Sequence, residues 1–282
     1  MSTERLRATA EGLLTAELGD EAGDLTGLLA PDFVEEYPQS RERVIGPDGI
    51  HRLLTEHIGR PRSEGMPRIT ILGDEQVAFE ILVRYGDEPW WTVGILDLRD
   101  GLVQRKRSWF AAELPPAAWR ADWVVPMPPP DVATDAGGHQ AVDRSVVERY
   151  FRAQSEADLA TLTRMRHPEW VHDMPQAGER FPTPDSYVEA HAQYPGGLPA
   201  LTPLRLSGPE DRWVVGAASM PLRVSGHGAH WVGEAELAYP NGERWFDILF
   251  MDFRHGKVVA ERSYWCLPFD APEWRRDLAE RY

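Results

Sequence analysis

Pro31 to Asp48 reads PDFVEEYPQSRERVIGPD, and Pro168 to Asp185 reads PEWVHDMPQAGERFPTPD. The two stretches lie 137 positions apart and share eight of eighteen residues without a gap. Farther along, Asp97 to Asp122 matches Asp252 to Asp277 at a spacing of 155, so the second copy carries 18 extra residues between the matched blocks. A repeating unit of roughly 130 residues can bury a core by itself, which marks a duplicated domain and not a solenoid repeat. The spacing predicts two similar domains in tandem.

Composition narrows the setting. A length of 282 residues also fits two domains. The single cysteine, Cys266, excludes an internal disulfide framework, and without a histidine partner in sequence it reads as a small apolar residue. The charged opening MSTERLRATAEG lacks the apolar stretch of a signal peptide, so a cytoplasmic location is expected. The longest apolar run, Trp213 to Leu222, is about half a membrane span, and no membrane association is expected. A net charge of −15 with no dense basic cluster argues against nucleic acid. His227 and His230 lie three apart at an apparent hairpin tip with no third ligand at a recognisable spacing, so no metal is expected. There is no glycine-rich phosphate loop or nucleotide fingerprint, and no cofactor is expected.

Val124 to Ala136 (VVPMPPPDVATDA) is proline-rich and aperiodic, which divides the chain into a first domain over 1–125, a linker over 126–139 and a second domain over 140–282. Each copy opens with helical patterns: Glu4 to Leu18 and a short helix from Gly23 closed by Pro31, then Arg144 to Ser155 and a helix near Leu159. A short strand follows (Phe33 to Tyr37; Trp170 to Met174), and then a third helix (Pro47 to Ile58; from Thr183 to about Gln193) with proline at its first turn. Long strands then alternate with turn pairs such as Asp100-Gly101 and Asn241-Gly242, and one of these strands is expected over Arg212 to Val224. The extra residues lengthen a hairpin around Ser225 to Ala229. The fold class is α+β: two tandem cone-shaped domains, each with N-terminal helices packed on a curved antiparallel sheet.

Tyr150-Phe151, Ala157-Asp158-Leu159, Val171-His172-Asp173, the strand end Asp252 to Val258 and the closing YWCLPFDAPEWR (Tyr264 to Arg275) together resemble the SnoaL-like and ketosteroid isomerase-like branches of the nuclear transport factor 2-like superfamily. The resemblance spans nearly the whole chain, once per copy. It implies that Asp173 occupies the general-base position and Tyr150 that of an oxyanion donor. The carboxylic acid of the penultimate strand aligns with Leu249 and is missing, but Asp247 lies on the same face two residues earlier. In copy one the base position is Glu36, beside Tyr37.

The residues support chemistry independently of the resemblance. A carboxylate on a short strand beside Trp170, Val171 and Met174 would be desolvated, which suits a base working near neutral pH; the bland alternative for Asp173 is a salt bridge. By alternation His172 would then point to the opposite side. Asp247 is the sole charge in a row with Trp245, Leu249, Met251 and Phe253, so it must be neutral, paired or functional. Tyr150 shares a helical face with Val146 and Val147, where core packing competes with oxyanion donation. The repeated pairs Gln39/Gln176, Glu42/Glu179 and Arg107/Arg262 read as scaffold, whereas Tyr150 and Asp247 occur in copy two alone, which favours the second domain as the working one. Trp213, Trp231 and Trp245, with Met251, would line an apolar pocket for a small organic ligand, and Glu36 and Tyr37 would line its counterpart in copy one.

The expected activity is therefore cofactor-independent isomerisation, cyclisation or dehydration of a small, polyketide-like molecule of secondary metabolism by an isomerase or lyase. The alternatives are a tandem polyether-type epoxide hydrolase or cyclase, and a non-catalytic ligand-binding or scaffold protein. The expected assembly is a pseudo-dimeric monomer or a homodimer.

Overall fold

The structure is a computed structural model that describes residues 2–19, 23–57, 59–128, 138–215 and 220–282. In chain order the elements are α1 (Thr3–Leu18), β1 (Leu29–Tyr37), β2 (Glu42–Ile45), α2 (Gly46–Glu56), β3 (Arg62–Ser63), β4 (Arg68–Gly73), β5 (Gln76–Tyr85), β6 (Glu88–Arg99), β7 (Leu102–Ala112) and β8 (Val125–Pro126). The second half runs β9 (Val142–Asp143), α3 (Arg144–Ser155), α4 (Leu159–Met165), β10 (Arg166–Met174), β11 (Glu179–Phe181), α5 (Pro184–Ala192), β12 (Ala200–Ser207), β13 (Arg212–Val215) and β14 (Pro221–Val224). It closes with β15 (His227–Gly228), β16 (His230–Ala238), β17 (Arg244–Arg254), β18 (Lys257–Cys266) and β19 (Glu280–Arg281).

Local chemistry sets the helices. Ser2 caps α1, whose Leu6, Ala10, Leu13 and Leu14 fall on one buried stripe. Thr183 and Ser186 cap α5 reciprocally, with Pro184 at the first turn. The short helix expected from Gly23 does not form among the described residues: Gly23 to Leu25 are irregular, Thr26 to Leu28 turn, and β1 already runs from Leu29 through Pro31. Pro31 sits where the pairing of β1 with β7 shifts register, a place where a residue without an N–H costs no ladder bond. Pro168 occupies the matching irregularity in β10.

Two large curved sheets form, in the orders β19-β2-β1-β7-β6-β5-β3, with β4 also on β5, and β12-β16-β17-β18-β10-β11-β8. They are mixed and not wholly antiparallel as expected, because the first long strand of each copy lies parallel to the last: β1 on β7 and β10 on β18. These pairings reproduce the duplication in space. Glu35 faces Lys106 and Glu36 faces Arg107, while His172 faces Glu261 and Asp173 faces Arg262. The spacings are again 137 and 155. Gln39 exchanges bonds of 3.0 and 2.6 Å with the Phe110 backbone, and Gln176 exchanges bonds of the same lengths with that of Trp265.

Contacts divide the chain into unit 1, Met1–Glu113 with Cys266–Tyr282, and unit 2, Leu114–Trp265. Each unit thus contains the tail that follows the other copy's last long strand. In unit 1 Arg275 bonds Glu42 at 2.6 Å, and in unit 2 Arg120 bonds Glu179 at 2.6 Å. The residues are equivalent in the repeat, but each arginine answers the glutamate of the other copy. Within the expected linker, Val125–Pro126 pair with β11 as a strand, and 129–137 lie outside the described residues.

The segment expected as one strand over Arg212 to Val224 is instead the hairpin β13–β14; positions 216–219 lie outside the described residues. The extra residues of copy two therefore form a separate two-stranded hairpin and do not lengthen a hairpin around Ser225 to Ala229. No helix among the described residues is long and apolar enough to cross a membrane.

Candidate functional site

Unit 2 encloses a cavity of about 440 Å3 between its helices and the concave side of its sheet. Leu162 of α4, Tyr187 and His191 of α5, Trp245, Asp247 and Leu249 of β17, and Trp119 and Leu114 from the incoming tail form much of its apolar wall. Three neighbouring strands bring polar groups together on one wall: Asp247 on β17, Ser263 on β18 and His172 on β10; Arg120, Gln154, Glu243, the His191 imidazole and the hydroxyls of Tyr187, Tyr194 and Tyr239 are the other polar groups of the lining.

Asp247 is buried, its Oδ1 has no hydrogen-bond partner among the described residues, and it hydrogen-bonds Ser263. Burial, helped by the nearby negative Glu261, pushes its carboxyl up to about 7, while the Ser263 bond pulls the other way. Ser263 Oγ lies 3.0 Å from Nε2 of His172. The His172 ring is buried among Trp170, Phe181 and Tyr187, and burial, with Arg166, His191 and Arg120 nearby, holds it well below the ordinary histidine range, so it is neutral. His191 is also held low, at about 4, chiefly by burial, and its Nδ1 is 2.8 Å from the Tyr187 carbonyl.

Behind these residues lies a charged cluster. Arg166 and Glu261 are both fully buried and paired at 3.2 Å. Glu261 also accepts from Trp170 Nε1 at 2.8 Å and Gln154 Nε2 at 2.9 Å. The Arg166 guanidinium lies 4.0 Å from the ring centres of both Trp170 and Tyr187, and its Nε donates to the Tyr150 hydroxyl at 2.9 Å. Each arginine at or behind the wall thus has a glutamate partner, Arg166 through Nη2 to Glu261 and Arg120 to Glu179, and the Arg166 Nη1 has no hydrogen-bond partner among the described residues.

The sequence expectation for β10 is reversed. Trp170, His172 and Met174 alternate on one buried face, and His172 and Met174 line the cavity, while Asp173 is buried too. Asp173 points to the other face, where Arg180 grips it at 2.5 and 2.9 Å. Period-two alternation from Trp170 and Met174 contained this answer, because an acid at an odd position cannot share their side. Tyr150 is completely buried and does not line the cavity; its hydroxyl accepts from Arg166 and bonds Glu261.

Of the residues expected to bind ligand, Trp245 lines the cavity. Trp231 is core, with its Nε1 on the Gly228 carbonyl at 2.8 Å, and Met251 is core as well. Trp213 is 71% exposed on the hairpin and does not line this cavity. In unit 1 Glu36 lies 3.8 Å from Arg105, and Tyr37 is buried beneath the Arg275 guanidinium, 4.8 Å away.

The positions of unit 1 equivalent to the cavity's polar wall are closed by charge. Glu35, in the place of His172, accepts from Ser108 at 2.9 Å and from Lys106 at 3.0 Å; Lys106 also bonds Glu17. Thr92 stands where unit 2 has Asp247. The residues that sequence reasoning missed, Arg166, Glu261 and Ser263, carry no motif; a buried pair is visible only once β10 and β18 are seen to be neighbours. Among the described residues no group of three or more histidine, cysteine or acidic side chains could hold a metal ion.

Solved structures similar to this chain include nuclear transport factor 2-like, ketosteroid isomerase-like and epoxide hydrolase-like proteins. One is a nuclear transport factor 2-like protein of unknown function from Burkholderia xenovorans, 24% identical over 49% of this chain and 94% of that one, with a TM-score of 0.40. A ketosteroid isomerase-like protein from Kribbella flavida is 20% identical over 49% and 88%, with a TM-score of 0.39. An LEH-like epoxide hydrolase from M. tuberculosis is 23% identical over 38% and 84%, with a TM-score of 0.33. No family model and no curated protein sequence matches the chain.

Proposed function

We propose that unit 2 is the working half of a cofactor-independent enzyme that moves a proton on a small, largely apolar organic molecule, in an isomerisation, cyclisation or dehydration of a polyketide-like compound. The observation that carries this reading is Asp247: a buried carboxyl on the wall of an apolar cavity, with one oxygen unpartnered and its proton affinity raised into the neutral range. A base is most effective when its pKa lies near the working pH, and burial provides that here. Ser263 holds the carboxylate in place, His172 holds Ser263, and the surrounding rings exclude the water that would weaken each contact.

Asp173 has no part in this reading, because its bidentate pairing with Arg180 on the far face supports a structural role. Tyr187, which receives a hydrogen bond from Arg166 and lines the cavity, replaces Tyr150 as the hydroxyl available to a developing oxyanion. Unit 1, with Lys106 between two glutamates, is the structural half.

The test is deuterium uptake by cyclic ketones and hydroxy ketones in D2O, followed by proton NMR. Asp247→Asn should slow uptake by roughly 10²–10⁴-fold, the usual contribution of a positioned acid or base. The wild-type rate should rise through a pH near 7, as Asp247 ionises. Unchanged uptake in the variant would remove Asp247 as the base and leave unit 2 a ligand-binding domain.

A further inference from the structure

We propose that His172 is a substrate-binding residue whose Nδ1 accepts a hydrogen bond, so that the cavity of unit 2 selects apolar molecules bearing an O–H or N–H donor over ketones and carboxylates of the same shape. This deepens the reading of that cavity as the working site and rests on it.

The argument is a count of protons along one chain of bonds. An ionised carboxylate only accepts, and a serine hydroxyl has one proton to give. Once Asp247 is ionised, the Ser263 hydroxyl must therefore donate to it, and Ser263 Oγ is left to accept. The atom facing that oxygen, 3.0 Å away, is Nε2 of His172, which must carry the ring's proton. In a neutral imidazole the other nitrogen is then a bare acceptor. That nitrogen, Nδ1, is buried and has no partner among the described residues, on a residue only 6% exposed that lines the cavity. A buried acceptor left without a donor is costly, so a ligand that supplies one gains affinity.

Two further groups on the wall near His172 have the same sense, whereas the Tyr187 hydroxyl is a donor kept for the reacting oxygen. Asp247 Oδ1 is a second unpartnered acceptor. His191 directs Nδ1 to the Tyr187 carbonyl, which leaves its Nε2 to accept. Arg120, the arginine on the cavity wall, is held by Glu179, and Arg166, behind the wall, is paired with Glu261 through Nη2, so the charge that would draw in a carboxylate ligand is already balanced. A ketone, which only accepts, would leave His172 Nδ1 unanswered. An alcohol or amine on the same skeleton answers it.

The experiment has two arms. In the first, 2-tetralol, 2-aminotetralin, 2-tetralone and tetralin-2-carboxylate, which share one bicyclic skeleton, are titrated into the full chain at about pH 8.5 and binding is read by isothermal calorimetry. The alcohol or the amine should bind about tenfold more tightly than the ketone, the worth of one hydrogen bond, and the carboxylate most weakly. In His172→Phe that preference should vanish. Which of alcohol and amine binds better tells whether the donor is neutral or charged. A ketone or carboxylate that binds as well as the donors overturns the proposal.

The second arm needs neither a variant nor a ligand: 15N NMR of histidine-labelled protein at the same pH reads the tautomer of His172. A proton on Nε2 is expected, and a proton on Nδ1 overturns the proposal. Failure of Asp247 as a base would appear in the deuterium-uptake assay and leave both of these results standing, so the two readings fail separately.

Discussion

Replacing Asp247 by asparagine should stabilise the protein near pH 8 far more than near pH 4. In the folded chain burial holds the Asp247 carboxyl at about 7, against an ordinary value of 3.8. A proton bound more tightly by the folded than by the unfolded chain stabilises the fold in acid. That contribution is complete below the unfolded value and is lost as pH rises through the folded one. Each tenfold difference in proton affinity is worth about 1.4 kcal/mol, so the ionised side chain costs on the order of 4 kcal/mol above pH 8 relative to acid. Asparagine has nearly the same shape, can still accept from Ser263 and never ionises, so the variant escapes the cost. In a protein of this size about 4 kcal/mol corresponds to roughly 8–16 °C in Tm. The assay is a series of circular dichroism melts of both proteins between about pH 4 and 8.5. Glu17, also raised to about 7 by burial, titrates in both proteins and cancels in the difference; Glu261, whose charge repels that of Asp247, does not cancel fully, and the loss of that repulsion in the variant adds to the gain at the alkaline end. A Tm difference that stays constant with pH, or a variant less stable than the wild type at the alkaline end, would refute the assignment of a desolvated acid at this position.

Glu261→Gln should destabilise unit 2 by about 3–5 kcal/mol, read by denaturant titration, because it leaves Arg166 charged and unpaired in the core; a loss under about 1 kcal/mol would mean that Arg166 finds another partner. Asp173→Asn should cost only about 1–2 kcal/mol, since the pair with Arg180 is partly exposed, and should leave deuterium uptake unchanged; a hundredfold loss of uptake would restore Asp173 as the base. Trp213→Ser should change stability by less than about 0.5 kcal/mol and leave ligand Kd values unchanged, and weakened binding would show that the hairpin reaches the cavity's ligand.

Much of the cavity wall was legible as a pattern. The row Trp245, Asp247, Leu249 has period two, and a lone acid in such a row must face the interior with its apolar neighbours. The same rule applied to β10 names His172 once Trp170 and Met174 are taken as the buried positions, whereas apolar neighbours on both sides of Asp173 do not by themselves tell which face is inside. Arg166 could not be chosen at all. It opens a strand beside Pro168 and looks like a surface residue until Glu261, 95 positions later, is placed beside it. The expected helix at Gly23 failed because turn signals there serve a strand entry, and nearest-neighbour chemistry does not distinguish the two.

The amino-acid sequence alone determined the duplication, the α+β class and the bounds of most long strands, though not of the segment over Arg212 to Val224, because repeats, hydrophobic periodicity and turn residues act over a few neighbours. Only the tertiary structure decided that β1 lies parallel to β7 and β10 to β18, and which glutamate each repeated arginine answers. It also decided which face of β10 closes over an apolar cavity. Those outcomes depend on burial and charge pairing between residues far apart in the chain, from Arg120 and Glu179 to Glu42 and Arg275, where a carboxyl's solvation, and hence its chemistry, is set by side chains that have no sequence relation to it.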